Sequence, residues 1–147
     1  MAQRFDPYPT VKMAVPNLKE LLARLRDGKL RNAITIVHAE NPEQAEWIFA
    51  TAAARLTRSG VRVFGPESLP PAGIVEQALR IGAKTVLAGE MRRADDAQAL
   101  RAAAALGINI AATISKPERH QAQELLDLLG PWTNYDLLLL SRQLPTR

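Results

Sequence analysis

Residues Lys84 to Ser115 read KTVLAGEMRRADDAQALRAAAALGINIAATIS, and this stretch decides the fold. Thr85-Val86-Leu87-Ala88 is a short continuous apolar run, the pattern of a strand buried on both faces. A turn carrying Glu90 follows, between Gly89 and Met91-Arg92-Arg93. Asp95 and Asp96 then fall in the first turn of a helix, where the helix dipole favours negative charge. Gly107 ends that helix, and Asn109 to Ile114 form a second apolar strand. Strand, helix and strand in succession make a βαβ unit, whose right-handed crossover sets the two strands parallel. A carboxylate at the C-terminal tip of such a strand stands where open α/β sheets hold their ligands. Glu90 is therefore the first candidate functional residue.

The same alternation extends in both directions. Upstream, Ala33-Ile34-Thr35-Ile36-Val37-His38 reads as a strand. Asn41 and Pro42 give cap and first-position signals for a helix, whose buried stripe is Ala45, Ile48, Phe49, Ala52 and Leu56. Ser59-Gly60 closes it. Val61 to Phe64 is a short strand, and a helix from about Ala72 to Ile81 is expected to bury Ile74, Val75, Ala78 and Leu79. Before these, Leu18, Leu21, Leu22 and Leu25 form one stripe of a helix with an Asn17–Glu20 capping box and an end at Gly28. Downstream, Ser115 and Glu118 have capping-box spacing ahead of a helix with Ala122, Leu125, Leu126 and Leu129 on one face. Asp136 to Ser141 is the last strand candidate, although four leucines in a row also suit a helix.

Five strands alternating with helices predict a three-layer αβα domain with a mainly parallel five-stranded sheet. Residues 1–16, broken by Pro7, Pro9 and Pro16, read as an extended arm, with Phe5 and Tyr8 available to pack. Residues 17–147 read as one domain, in line with the 147-residue length.

Composition limits the chemistry. With no cysteine, disulfides, thiolate catalysis and zinc–thiolate sites are excluded. A net charge of +4 permits an acidic partner without the dense basic stripe of a nucleic-acid binder. No run approaches the ~20 apolar residues of a membrane span, and the cytoplasm is the expected location. Lys19, Arg24 and Arg26 occupy the polar face of the first helix, a candidate surface for a partner or for nucleic acid. Trp47 lies one position off its buried stripe and Trp132 follows a helix stop. Both are candidate interface anchors, with packing on the domain's own surface the competing reading. His38 near Glu40 and Glu43 is too loosely spaced for a metal site, and a hydrogen bond to backbone is expected of it. His120 belongs on a solvent-exposed helix face.

Gly89-Glu90-Met91-Arg92, followed by an Asp- and Ala-rich helix, resembles the Walker B region of the type II/IV secretion and pilus-retraction ATPases. Other segments are similar in the same order. Leu30 to Leu56 resembles the first strand, phosphate-loop position and first helix of that core. Phe64-Gly65-Pro66-Glu67 resembles a strand end with an acidic Asp-Pro segment, and Gln77-Ala78-Leu79-Arg80 the helix approaching the Walker B strand. Ser141-Arg142-Gln143-Leu144-Pro145 resembles an element near the end of the core. The resemblance implies a P-loop NTPase-related, RecA-like fold.

The departures bear on activity. A phosphate loop needs Gly-x-x-x-x-Gly-Lys-Ser/Thr, so that backbone N–H groups wrap the phosphates and Lys reaches the β- and γ-phosphates. His38-Ala39-Glu40-Asn41-Pro42-Glu43-Gln44-Ala45-Glu46 stands in that position, without glycine or lysine. Pro42 removes a donor, and the three glutamates repel a triphosphate, each by about 1 kcal/mol at ~4 Å even in full water dielectric. The family's acidic box has no counterpart, and Ala112-Thr113-Ile114-Ser115-Lys116 replaces its histidine box. Thr113 and Ser115 fall where related ATPases carry a polar sensor, and Ser115 also reads as a cap. Only Glu90 and Arg92, with Arg93 beside them as a further binding candidate, remain from the constellation. The expectation is a non-catalytic relative with no cofactor, ATP and magnesium not being bound in the usual pose. Its partner would be a pilus, secretion or conjugation ATPase, or that machine's platform component. An aberrant ATPase and a basic nucleic-acid-binding accessory are the alternatives, and oligomerisation stays open.

Overall fold

The computed structural model describes residues 17–27, 33–65, 70–131 and 133–139. In chain order the elements are α1 (Asn17–Asp27), β1 (Ile34–Ala39), α2 (Pro42–Arg58), β2 (Val63–Phe64), α3 (Pro71–Ile81), β3 (Thr85–Glu90), α4 (Ala94–Ala105), β4 (Asn109–Ser115), α5 (Arg119–Leu126) with a 3₁₀ turn over Asp127–Leu129, and β5 (Asp136–Leu139). The predicted alternation is the observed one. The arm at 1–16, with Phe5 and Tyr8, lies outside the described residues, as do Gly28, the Pro66-Glu67 segment, Trp132 and the Ser141 to Pro145 element. The side chains of Asn17, Glu20 and Arg26 lie outside them too.

All five strands are parallel, in the order β2-β3-β4-β1-β5. The chain goes from β1 out to the β2 edge, then returns through β3 and β4 and crosses to β5. Right-handed crossovers running in opposite directions put their helices on opposite faces. The packing agrees. Leu21 and Leu25 of α1 and Ile48, Phe49, Ala52 and Leu56 of α2 share one core with Val37, Leu87, Ala111 and Leu138. Ile74, Val75 and Ala78 of α3, Leu100 and Ala103 of α4, and Ala122 and Leu126 of α5 share the other with Ile34, Ile36, Val86, Ile110 and Ile114. Successive strand residues feed opposite cores because side chains alternate across a strand. The result is three layers, α1 and α2, the sheet, and α3 to α5.

Local chemistry sets the ends of the elements. The Asn41 side chain accepts the Gln44 N–H at 2.9 Å ahead of Pro42, as the cap signals predict. Gly82 takes a left-handed conformation (φ 69°) at the end of α3. Gly65 has a different reason. Its φ is +98°, and a Cβ there would sit 2.1 Å from the Leu87 carbonyl oxygen, so the chain leaving β2 lies against β3 where only glycine fits.

Three expectations need correction. Leu79 is 44% exposed, because it lies one position, about 100° round the helix, from the buried line of Pro71, Ile74, Val75 and Ala78. Ser115 does not cap α5: it is the last residue of β4, and Glu118 occupies the N-cap. The Ser115–Glu118 spacing is carried instead by a strand that continues to its full length beside β1. The strand candidate starting at Asp136, by contrast, does form, described over Asp136–Leu139, because β5 gains parallel pairing with β1 from Thr35↔Asp136 to His38↔Leu139. Finally, β3 does not stop at Ala88 but runs through Glu90, with consequences for the site.

Candidate functional site

An open α/β sheet binds ligands at the C-terminal strand edge where neighbouring strands send their helices to opposite faces. Here β1 is followed by α2 on one face, while its neighbour β4 is followed by α5 on the other. The switch point is the β1–β4 boundary, in register at Ala39↔Ser115. Glu90 of β3 lies one strand away.

Glu90 gets there through a bulge. Leu87 pairs with Ala111, but Glu90 pairs with Thr113, so three steps along β3 match two along β4. An uninterrupted ladder would set Glu90 opposite Ile114, beneath α4 and α5. Paired residues of a parallel ladder share a face, so the extra residue at Ala88-Gly89 turns Glu90 to the α1–α2 side with Thr113. It also sends Met91 into the opposite core, fully buried. Bulges re-aim side chains in this way beside functional sites. Met91 N–H donates to the Thr113 carbonyl at 2.9 Å and closes the irregularity.

The Glu90 carboxylate lies 3.4 Å from the Arg92 guanidinium, with the glutamate largely covered and the arginine exposed. The α4 cap belongs to another acid. Asp96 is buried and accepts the N–H groups of Arg92 at 2.9 Å and Arg93 at 3.1 Å. Ala72 N–H approaches the same carboxylate at 3.5 Å and ties the start of α3 to it. Asp96 was legible as a first-turn acid, but its role in fixing the Met91–Arg93 turn was not. Arg93, the N-cap residue, is exposed.

At the switch point, β1 and α2 are joined by Glu40 and Asn41 alone. Two of the backbone donors here are already used, and a third position has none. Glu40 N–H donates to Gln44 Oε1 at 2.8 Å, Gln44 N–H to Asn41 Oδ1, and Pro42 has none. Glu43 and Glu46 stand exposed on the opening turns of α2. His38 Nε2 donates to the Lys116 carbonyl at 2.6 Å, a bridge from β1 to the segment after β4 that matches the expected backbone bond. Beside it Ser115, 8% exposed, has a buried hydroxyl with no hydrogen-bond partner among the described residues. No group of three or more metal-ligating side chains assembles among the described residues.

The remaining candidates are not brought to this edge. Trp47 is 38% exposed on α2. Lys19 is exposed on α1. Arg24 is a correction: it does not point to solvent but meets Asp136 of β5 at 2.6 Å, with both side chains largely covered. One turn from Leu21 and beside Leu25, it lies at the border of the apolar stripe, and its long stem reaches the sheet. The Asp136 partner, distant in sequence, gave no signal. His120 is exposed.

By its fold the chain is an α/β protein with a five-stranded, all-parallel sheet covered by helices on both faces. Compared with models of known protein families it matches none, and no curated protein matches it.

Proposed function

We propose that this chain is a non-catalytic, ATPase-like interaction module, related to the RecA-like core of the secretion and pilus-retraction ATPases. It acts in the cytoplasm by binding a protein of such a machine. The observation that carries the reading is the two-residue link between β1 and α2 at the switch point. A phosphate cradle takes several residues with free, converging N–H groups. Glu40 and Asn41 are too few, the donors at Glu40 and Gln44 are satisfied from within the chain, and the adjoining side chains are carboxylates. These residues do not fit a triphosphate in the usual pose, and no magnesium follows without one.

Two features support the descent. A RecA-like core inserts one strand between its phosphate-loop strand and its Walker B strand, and here β4 lies between β1 and β3. Glu90, at the tip of β3 on the same edge, is turned by the bulge to the α1–α2 face. A carboxylate with no nucleotide or metal before it has nothing to polarise, which leaves binding rather than turnover. The nucleic-acid alternative loses support because Arg24 is engaged with Asp136.

The test is affinity co-purification from a host carrying pilus or secretion machinery. Recovery of a secretion-type ATPase or of its platform component is expected. Repeated recovery of neither would contradict the reading.

A further inference from the structure

The opposite edge of the sheet carries a different chemistry. Every helix runs antiparallel to the strands it covers, so the ends of α2, α3 and α4 gather at the N-terminal edge with the starts of β2, β3 and β4. Arg55 and Arg58 close α2, Arg62 precedes β2, Arg80 lies in the last turn of α3 and Lys84 precedes β3. All five are exposed. From Trp47 to Leu87 the only described carboxylate is Glu76, which pairs with Arg80. Among these cations stand the three most exposed large apolar residues described: Leu79 at 44%, Ile81 at 61% and Leu106 at 61%. Lys84 and Asn109 are joined by a backbone hydrogen bond of 2.9 Å, which holds the ends of α3 and α4 side by side.

We propose that this edge is a docking surface for an anionic lipid bilayer. The cations come from both helix layers and from the sheet between them. With layers about 10 Å apart, they spread over a plane wider than one bound helix or extended peptide covers. A flat polyanionic surface meets all of them. Phosphates of a nucleic acid would satisfy the cations but leave Leu79, Ile81 and Leu106 facing water. A headgroup layer takes both, cations at the phosphates and apolar side chains at the acyl boundary. The carboxylates at the opposite end (Glu40, Glu43, Glu46, Asp95 and Glu118) orient the molecule by repulsion from the same surface. This inference rests on surface charge and exposure and is independent of the function proposed above.

The experiment is flotation of the full chain with phosphatidylcholine vesicles, with and without about 30 mol% phosphatidylglycerol. Binding is expected only to the anionic vesicles and is expected to disappear when salt rises from about 0.1 M to about 0.5 M. Replacing Arg58, Arg62 and Lys84 by Gln is expected to weaken it at least about tenfold. Ile81→Ser with Leu106→Ser is expected to weaken it at least about threefold. Both variants change exposed residues, and circular dichroism verifies their fold. No binding to anionic vesicles, or binding unaffected by the Ile81/Leu106 pair, would overturn the proposal. So would binding to duplex DNA, to polyglutamate or to a second copy of the chain at lower protein concentration than to the vesicles.

Discussion

Asp96 shows how much one side chain decides here. Its buried carboxylate takes two backbone N–H groups of the turn that follows Glu90, and removal leaves both without their partner. Asp96→Ala is expected to destabilise the fold by about 2 kcal/mol, from a lost cap and unsatisfied donors. Urea unfolding measures it, and a loss under about 0.5 kcal/mol would contradict the assignment. Glu90 is expected to behave differently. Its arginine partner is exposed and 3.4 Å away, so Glu90→Gln should change stability by less than about 1 kcal/mol. Both acids stand out in the sequence, one at a strand tip and one in a first helical turn. Their division of labour does not, because Asp96 works on backbone N–H groups rather than on a recognisable partner residue.

At the scale of elements, two contacts between parts of the chain distant in sequence govern the fold. Arg24 joins α1 to the edge strand β5 through Asp136. Arg24→Ala removes a cation from a largely covered carboxylate, and a loss of about 2 kcal/mol is expected. The double variant with Asp136→Ala is expected to lose less than the sum of the two single losses, which a double-mutant cycle reads directly. Gly65 is the second contact. Positive φ and the Leu87 carbonyl at its back together predict a loss of about 3 kcal/mol for Gly65→Ala, visible as a lowered melting temperature. The elements themselves were legible: periodicity and caps gave ten segments of the right type and order. The links were not. Arg24 reads as a solvent-facing charge until β5 is placed beside α1. The bulge in β3 exists only relative to β4, so nothing in Ala88-Gly89-Glu90 alone announces it. Leu79 looks like part of the apolar stripe, but the buried line of α3 runs through Ile74, Val75 and Ala78 and leaves it to one side.

For the whole molecule, the parallel sheet and its two cores followed from alternating strands and helices. The strand order, and hence the location of the switch point, is a tertiary fact that pattern alone leaves open. One titration belongs to this scale. Tyr135, packed against the larger core just before β5, has its pKa raised from 10.0 to about 12, by burial first and by the Asp127 carboxylate second. The unfolded chain therefore loses this proton before the folded one. The contribution is fully present below pH 10 and is lost as pH rises from 10 to about 12. Tyr135→Phe is expected to flatten the fall of stability over that range, as followed by urea midpoints at successive pH values.

The proposed loss of nucleotide binding rests on Glu90 standing without the other ATPase motifs in the sequence and on the backbone of the β1–α2 link. Only two residues join β1 to α2 at the switch point, fewer than a phosphate cradle takes. Isothermal titration with magnesium and ATP tests this most directly. The account predicts no saturable heat up to millimolar nucleotide, with wild type and Glu90→Gln indistinguishable. Magnesium-dependent binding in the micromolar range, abolished by Glu90→Gln, would contradict it.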